Sequence, residues 1–241
     1  MPRPRTRAAM HTVLAFDTAT ERISIALSAQ GRVWQHEGEG GAKASATFLP
    51  AVMALLAEAG IRVTDLDAVA FGRGPGAFTG LRTACAVAQG LAYGAGKPVL
   101  PIDTLLAIAE DARRDAEPVQ VWSVMDARMD QIYAAQYGYV GAAWQVVDPP
   151  LLIDADGLNR RWRTAPPQVV AGNALRVFGT RLEPADARLA PDAAPRAVGM
   201  LALARALWVH GGAVDAAQAL PLYLRDKVAE TTAERAARIA A

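Results

Sequence analysis

Residues 11–30 read HTVLAFDTATERISIALSAQ. The stretch starts with a short apolar run that ends at Asp17, and from Arg22 onward apolar residues alternate with polar or small ones. Alternation with a period of two is typical of a β-strand, and Asp is a common turn residue between two strands. We therefore expect a strand, a turn led by Asp17 and a second strand, with a third strand after the turn at Gly31.

The same order of elements begins again in residues 119–138, VQVWSVMDARMDQIYAAQYG. In the first copy Asp17 precedes the turn glycine Gly31 by 14 residues. In the second copy Asp126 precedes Gly141 by 15 residues. A shared order predicts an α/β fold made of two duplicated domains that face each other. Ordinary hairpin chemistry remains the alternative explanation for either copy alone.

The predicted organisation has four parts: a disordered leader at 1–10, an N-terminal domain at 11–116, a C-terminal domain at 117–229 and a tail at 230–241. Met10 is an alternative start for the folded chain. Thr231 and Glu234 have the spacing of a capping box, which predicts a helix in the tail.

Composition limits the class of protein. The chain has 241 residues, is 52% hydrophobic and carries 25 basic against 24 acidic residues. This balance predicts a globular protein without the charge excess of a general nucleic-acid or membrane binder. The single cysteine, Cys85, excludes an intramolecular disulfide and a thiolate zinc site. With no secretory signal and no apolar stretch of membrane-spanning length, we expect a cytoplasmic protein without membrane contact.

A glycine-rich loop, FGRGPGAFTGLR, occupies residues 71–82. It matches neither the phosphate-binding P-loop nor the G-x-G-x-x-G dinucleotide motif. Its glycines permit a sharp turn from strand to helix, and the alternative is an anion held at the helix N-terminus. The residues placed near such a nucleotide are Asp17, Gly74, Gly76 and Thr79.

Two predicted helices, one with Thr47 as N-cap and Pro50 in its first turn, the other at residues 78–93, are apolar around most of their circumference. A helix at a protein surface normally has a polar face, so these helices predict either a partner surface or burial within the chain. The residues assigned to the partner surface are Phe48, Val52, Leu55, Arg82, Thr83, Ala86, Gln89, Gly90 and Tyr93.

The sequence assembles no catalytic or metal site. The histidines at 11, 36 and 210 form no H-x-x-x-H pair, and no G-x-S-x-G motif is present. Asp17, Asp103 and Asp126 each end a predicted strand, where turn chemistry and catalysis are alternative roles. Arg128 and Asp130 are predicted to pair across the second turn. We expect no catalytic residue, no metal and no cofactor, with ATP or ADP left open at the cleft or a partner interface.

Several segments resemble the bacterial TsaB (YeaZ) family: LAFDTATERISIAL, AVAFGRGPGAFTGLR, AQGLAYG, DARMDQIY and PLYLRDKVAE. The resemblance implies the actin-like ATPase fold of sugar kinases and heat-shock chaperones. It also implies a non-catalytic subunit of the machinery that makes threonylcarbamoyladenosine beside the tRNA anticodon. Such a subunit pairs with the catalytic TsaD through a helical bundle and with the ATPase TsaE, contacts tRNA through that complex, and forms a homodimer when alone.

The resemblance also sets two contrasts. TsaD has a histidine pair after the strand that follows its glycine loop, whereas this chain has PIDTLLAIAE with Asp103. The family usually has a histidine before the first helix, where this chain has Ala44. The alternative functions are an ATPase or small-molecule kinase that uses Asp17, and a peptidase.

Overall fold

The structure is a computed structural model that describes residues 10–41 and 44–225, without the side chains of Ala44 and Ser45. Residues 1–9 of the predicted leader lie outside the described residues, as do the tail at 230–241 and its Thr231–Glu234 capping box.

The first half of the chain forms a five-stranded sheet with the order β3-β2-β1-β4-β5. Its strands are β1 (Val13–Asp17), β2 (Arg22–Ala29), β3 (Arg32–Glu39), β4 (Ala68–Gly74) and β5 (Val99–Asp103). Strands β1, β2 and β3 are antiparallel neighbours, whereas β4 pairs in parallel with both β1 and β5. The helices of this half are α1 (Ala44–Ala59), α2 (Phe78–Ala95) and α3 (Thr104–Ala112).

The second half repeats this arrangement. Its strands are β6 (Val119–Asp126), β7 (Ile132–Val140), β8 (Ala143–Ile153), β9 (Val169–Ala171) and β10 (Arg188–Ala190). Their order, β8-β7-β6-β9-β10, corresponds strand for strand to that of the first sheet. Its helices are α4 (Ala155–Thr164), α5 (Ala174–Phe178) and α6 (Ala197–Val209). The duplicated α/β architecture of the actin-like ATPase fold, predicted from the sequence, is confirmed.

Strand alternation divides the first half into two packed layers. Residues such as Leu14 and Phe16 point to the face that is covered by α1 and α2. Val13 and Ala15 point to the opposite face, which is covered by α6. Alternate residues of a strand lie on opposite faces, and here both faces are buried.

The last helix of each half packs against the sheet of the other half. Helix α3 lies against β6 and β7, and its Leu105 and Ile108 join the core of the second sheet. Helix α6 lies against β1 and β2, and its Met200 joins the core of the first sheet. Helix α6 falls within the predicted C-terminal domain, residues 117–229, yet it covers the N-terminal sheet. The two halves therefore share their cores.

Two local predictions differ from the structure. Helix α1 begins at Ala44, so Thr47 is not its N-cap and Pro50 lies inside the helix, beyond the first turn. Helix α6 was not predicted, because its residues are mostly apolar and its start lacks a capping side chain: Arg196 at the N-cap makes no side-chain hydrogen bond. Within the described residues, no helix has the length and apolar character needed to cross a membrane.

Candidate functional site

The glycine-rich loop lies against the turn that joins β1 to β2. A Cβ atom on Gly72 would lie 1.8 Å from Asp17 Oδ2, and one on Gly80 would lie 1.8 Å from the Thr18 carbonyl oxygen. Gly74 has a φ of 111° and precedes Pro75 through a cis peptide bond. Gly72 and Gly80 must therefore be glycine because the neighbouring atoms leave no room for a side chain. Gly74 must be glycine because its φ is unfavourable for other residues.

Asp17 is enclosed by this contact. Its side chain is 1% exposed. Oδ1 accepts a 2.7 Å hydrogen bond from the Ala19 amide, and Oδ2 accepts one of 2.7 Å from the Thr104 hydroxyl. Burial raises the pKa of Asp17 from 3.8 to about 6, against the lowering effect of the hydrogen bonds from Ala19 and Thr104. Both oxygens are thus engaged inside the fold, an arrangement that joins the loop, β1 and α3 (Thr104 is its first residue).

A cavity of about 300 Å³ opens between the two halves beside the loop. The residues that line it include Glu21, Gly76, Phe78, Arg128, Tyr223 and Arg225. Of the residues predicted to lie near a nucleotide, Gly76 borders this cavity. Gly74 does not line it: a Cβ atom on Gly74 would lie 2.8 Å from the Leu222 carbonyl oxygen. Thr79 is exposed on α2, outside the residues that line the cavity. Asp17 lies in the wall of a second cavity of about 500 Å³, but its burial keeps the carboxylate out of that space.

The turn between β6 and β7 forms the opposite wall of the first cavity. Arg128, Met129 and Asp130 have φ angles of 61°, 52° and 58°. Left-handed conformations cost energy in residues other than glycine, so surrounding contacts must hold this turn.

Ion pairs supply some of those contacts. Arg128 bonds to Asp126 in its own turn and, at 2.7 Å, to Glu21 of the first half. Asp130 accepts two hydrogen bonds from Arg181, at 2.6 and 2.8 Å. The predicted pair between Arg128 and Asp130 is therefore wrong, because each side chain turns toward another partner.

Asp103 is likewise used within the fold. Arg73 Nε donates a 2.5 Å hydrogen bond to Asp103 Oδ1. The end of β5 thus holds two internal bonds side by side, Arg73 to Asp103 and Thr104 to Asp17.

Helix α1 places the stripe predicted for a partner in the core of its own chain. Phe48, Val52 and Leu55 are at most 5% exposed and belong to the cluster that contains Phe16 and Phe71. Their assignment to the partner surface is wrong, because this stripe faces the sheet. Residues three to four positions apart share a helix face, and the stripe left outside is the neighbouring one, which includes Leu49 and Met53.

Helix α2 agrees better with the predicted surface. Its exposed residues include Arg82, Ala86, Gly90 and Tyr93, and Thr83 and Gln89 are partly buried. Tyr93 is 82% exposed. Helix α1 covers β2 and β3 while α2 covers β4, so the two helices lie side by side on one face of the sheet. Their outward faces form a surface that we call the α1–α2 face.

A segment that the sequence did not single out for this region runs along α2. We call residues 214–225 the C-terminal strap. The Ala219 carbonyl oxygen accepts hydrogen bonds from the Cys85 thiol, at 3.2 Å, and from the side-chain Nε2 of Gln89, at 2.9 Å. Within the strap, only a three-residue 3-10 helix at Ala216–Gln218 is regular structure. Such a segment has no periodic pattern by which a sequence could have revealed it.

The described residues contain no group of three or more His, Cys, Asp or Glu side chains that could hold a metal ion.

Known proteins resemble this chain over most of its length. The family model for TsaD, tRNA N6-adenosine threonylcarbamoyltransferase, matches residues 39–158. The tRNA threonylcarbamoyladenosine biosynthesis protein TsaB of Escherichia coli K12 is 32% identical over 226 residues, which cover 90% of this chain and 96% of that protein. The TsaB protein of Haemophilus influenzae is 32% identical, with 90% and 94% coverage.

A solved structure agrees with these relatives. YeaZ from Pseudomonas aeruginosa matches with a TM-score of 0.79 and 36% identity, over 89% of this chain and 100% of that one. The near-complete coverage of TsaB and YeaZ proteins confirms the resemblance seen in the sequence motifs. The chain belongs to the TsaB (YeaZ) family.

Proposed function

We propose that this chain is a non-catalytic scaffold or activator subunit in the installation of threonylcarbamoyl on the adenosine beside the tRNA anticodon. In this proposal it pairs with a TsaD-type transferase, and a TsaE-type ATPase joins the pair. It meets tRNA through that complex, in the cytoplasm. The TsaB proteins of E. coli and H. influenzae, named for threonylcarbamoyladenosine biosynthesis, support the pathway.

The observation that carries the pairing is the exposed α1–α2 face. It combines large apolar side chains, Leu49 at 43% and Met53 at 45% exposure together with Tyr93, and small residues on α2. A Cβ atom on Gly90 would have no heavy atom within 4 Å, so the helix surface there is open. Aromatic and methionine side chains are enriched at interfaces, and small residues allow a second helix to approach closely.

A TsaD-type subunit suits this face because of the family match. The matching range, residues 39–158, includes all of α1 and α2, so a TsaD-type protein has a related segment. Two related surfaces can pair about an approximate twofold axis, as identical ones do in symmetric dimers. By the same argument, the chain alone forms a homodimer through the α1–α2 face.

The non-catalytic role is supported by the residues at the end of β5. The family resemblance places a TsaD histidine pair in this region, whereas here Asp103 bonds to Arg73 and Thr104 bonds to Asp17. The burial of Asp17 also argues against the alternative ATPase, in which this carboxylate would have to face a nucleotide. We assign no cofactor to the chain. Calorimetric titration of ATP and ADP into the chain alone tests this, and magnesium-dependent turnover of ATP would favour the ATPase.

The proposed pairing is tested by co-purification with the TsaD-type subunit of the same organism. Ala86→Glu and Gly90→Glu place a carboxylate on the α1–α2 face and should abolish both co-purification and the homodimer. Ala202→Glu is the matched control, since Ala202 is exposed on α6 across the sheet. Threonylcarbamoylation of tRNA by the TsaD-type and TsaE-type proteins should require the wild-type chain and fail with Ala86→Glu. Full activity without the chain would overturn the proposal.

A further inference from the structure

The C-terminal strap follows the flank of α2 that lies opposite to α1. It starts at β5, where Val214 and Val99 exchange backbone hydrogen bonds of 2.9 Å. In the order of the sheet, β5 lies on the far side of β4 from the strands under α1. Helix α2 above β4 is therefore flanked by α1 on one side and by the strap on the other.

The strap is fastened to the loop and to the first turn of α2. The Leu222 amide donates a 2.7 Å hydrogen bond to the Arg73 carbonyl oxygen. The Tyr223 ring lies 5.4 Å from that of Phe78, and the Arg82 guanidinium lies 3.6 Å from the centre of the Phe78 ring. Arg82 belongs to the exposed stripe of α2, so the strap directly adjoins the α1–α2 face.

Two large side chains of the strap remain outside. Leu220 is 67% exposed and Tyr223 is 43% exposed. Leu220 follows Ala219, whose carbonyl oxygen accepts a hydrogen bond from Gln89 of α2, and the Tyr223 hydroxyl accepts one of 3.4 Å from Arg82. The strap therefore carries both residues along the flank of the exposed stripe of α2. An exposed apolar patch that extends across three adjacent elements is typical of a protein interface.

We infer that the C-terminal strap is the third element of the docking surface, and that Leu220 and Tyr223 contact the TsaD-type subunit beside α1 and α2. The inference rests on the proposed function. The TsaD model ends its match at residue 158, so the strap lies outside the range that it covers. The strap thus adds contacts from one flank to the paired helices.

Arg225 positions the strap from its other end. Its guanidinium donates to the Met129 sulfur at 3.0 Å and to the Gln131 side-chain oxygen at 2.7 Å, both in the β6–β7 turn. The strap therefore runs from the α1–α2 face to the turn that closes the cleft between the halves. A partner that holds Leu220 and Tyr223 also holds this turn against the first half.

The test is the dissociation constant for the purified TsaD-type subunit, measured by calorimetry. Leu220→Glu should weaken binding at least about tenfold, because a charge would be buried in the contact. Leu189→Glu is the matched control: Leu189 is 49% exposed on β10 of the other half, and its variant should bind within about twofold of wild type. Arg225→Ala should weaken binding severalfold, and Arg225→Lys should recover part of the loss.

Hydrogen exchange on the wild-type chain gives a readout that does not depend on a variant. The backbone amides of Ala219, Leu220 and residues 222–224 should gain protection when the TsaD-type subunit is added. Unchanged protection there, or wild-type affinity of Leu220→Glu while Gly90→Glu fails to bind, overturns the role of the strap and leaves the proposed pairing intact. If the wild-type chain does not bind the TsaD-type subunit, the proposed function itself fails.

Discussion

Asp17 and Thr104 meet inside the fold through a 2.7 Å hydrogen bond, although they are 87 residues apart in the chain. The Thr104 hydroxyl donates to Asp17 Oδ2 and also accepts a 3.2 Å hydrogen bond from the Gly74 amide. One hydroxyl group therefore joins the end of β1, the glycine-rich loop and the start of α3. The Asp17 carboxylate therefore helps to hold the glycine-rich loop in place.

The first prediction concerns Asp17 and pH. Burial raises the pKa of Asp17 from 3.8 to about 6. Between these two pH values the folded chain keeps a proton on Asp17 that the unfolded chain has released. The contribution of this carboxyl group to stability is most favourable below about pH 4 and falls as the pH rises through about 6. The shift corresponds to about 3 kcal/mol.

Asp17→Asn does not titrate at this position, so the comparison isolates the effect. Between pH 4 and 7, the difference in unfolding free energy should move in favour of the variant by about 2 kcal/mol, measured by urea denaturation. Asp65→Asn is the control, because Arg62 lowers the pKa of Asp65 in the folded chain to about 2, so its carboxyl group is charged throughout pH 4 to 7. If the unfolding free energies of Asp17→Asn and wild type changed with pH by the same amount, the prediction would be contradicted.

The second prediction concerns the Thr104 hydroxyl group. Thr104→Val keeps the shape of the side chain but leaves Asp17 Oδ2 and the Gly74 amide without their buried partner. The loss of unfolding free energy should be about 3 kcal/mol. Thr104→Ser retains the hydroxyl group and should lose only about 1 kcal/mol, for the missing methyl group. Equal losses in the two variants would show that packing, and not hydrogen bonding, matters here.

The third prediction compares two glycines of α2. Gly80→Ala would bring a methyl group within 1.8 Å of the Thr18 carbonyl oxygen, so it should cost more than about 3 kcal/mol or prevent folding. Gly90→Ala meets no atom within 4 Å and should stabilise the chain by about 1 kcal/mol, because alanine is the better helix former. Thermal denaturation of both variants checks the opposite signs. A destabilised Gly90→Ala would mean that α2 is packed differently.

The fourth prediction compares two neighbouring residues of α1. The Phe48 ring lies 4.9 Å from that of Phe16 in an edge-to-face contact within the core. Phe48→Ala should therefore cost about 4 kcal/mol. Leu49→Ala, at an exposed position, should change the unfolding free energy by less than about 0.5 kcal/mol. Denaturant unfolding distinguishes the two, and similar losses would refute the assignment of their faces.

Much of the fold could be predicted because strands repeat with a period that the chain itself displays. Alternation around Asp17 and again around Asp126 indicated two hairpins, and their shared order indicated duplication. Helix α2 was placed correctly to within a few residues, since the glycine-rich loop that precedes it marks its start. Helix α6 is as apolar as α1 and α2, but no glycine loop or capping side chain marks its start, where Arg196 makes no side-chain cap hydrogen bond. It was therefore missed.

The candidate site was harder to predict, because apolar residues on two faces of a helix do not show which face is buried. On α1 the stripes of Phe48 and Leu49 are both apolar, so the sequence could not say which one the sheet would cover. The C-terminal strap presented a different obstacle. Its contact between Ala219 and Gln89 spans 130 residues and involves a backbone carbonyl group, which has no signature in the sequence.

The sequence by itself determined the duplicated α/β order, the glycine-rich turn into α2 and the apolar character of the two surface helices, because each depends on neighbouring residues in the chain. Only the tertiary structure decided which stripe of α1 is exposed, that the Asp17 carboxylate is enclosed by Gly72 and Thr104, and that the strap borders the α1–α2 face. Each of these depends on which distant surfaces exclude water from one another, and this follows from the packing of the sheets and helices as a whole.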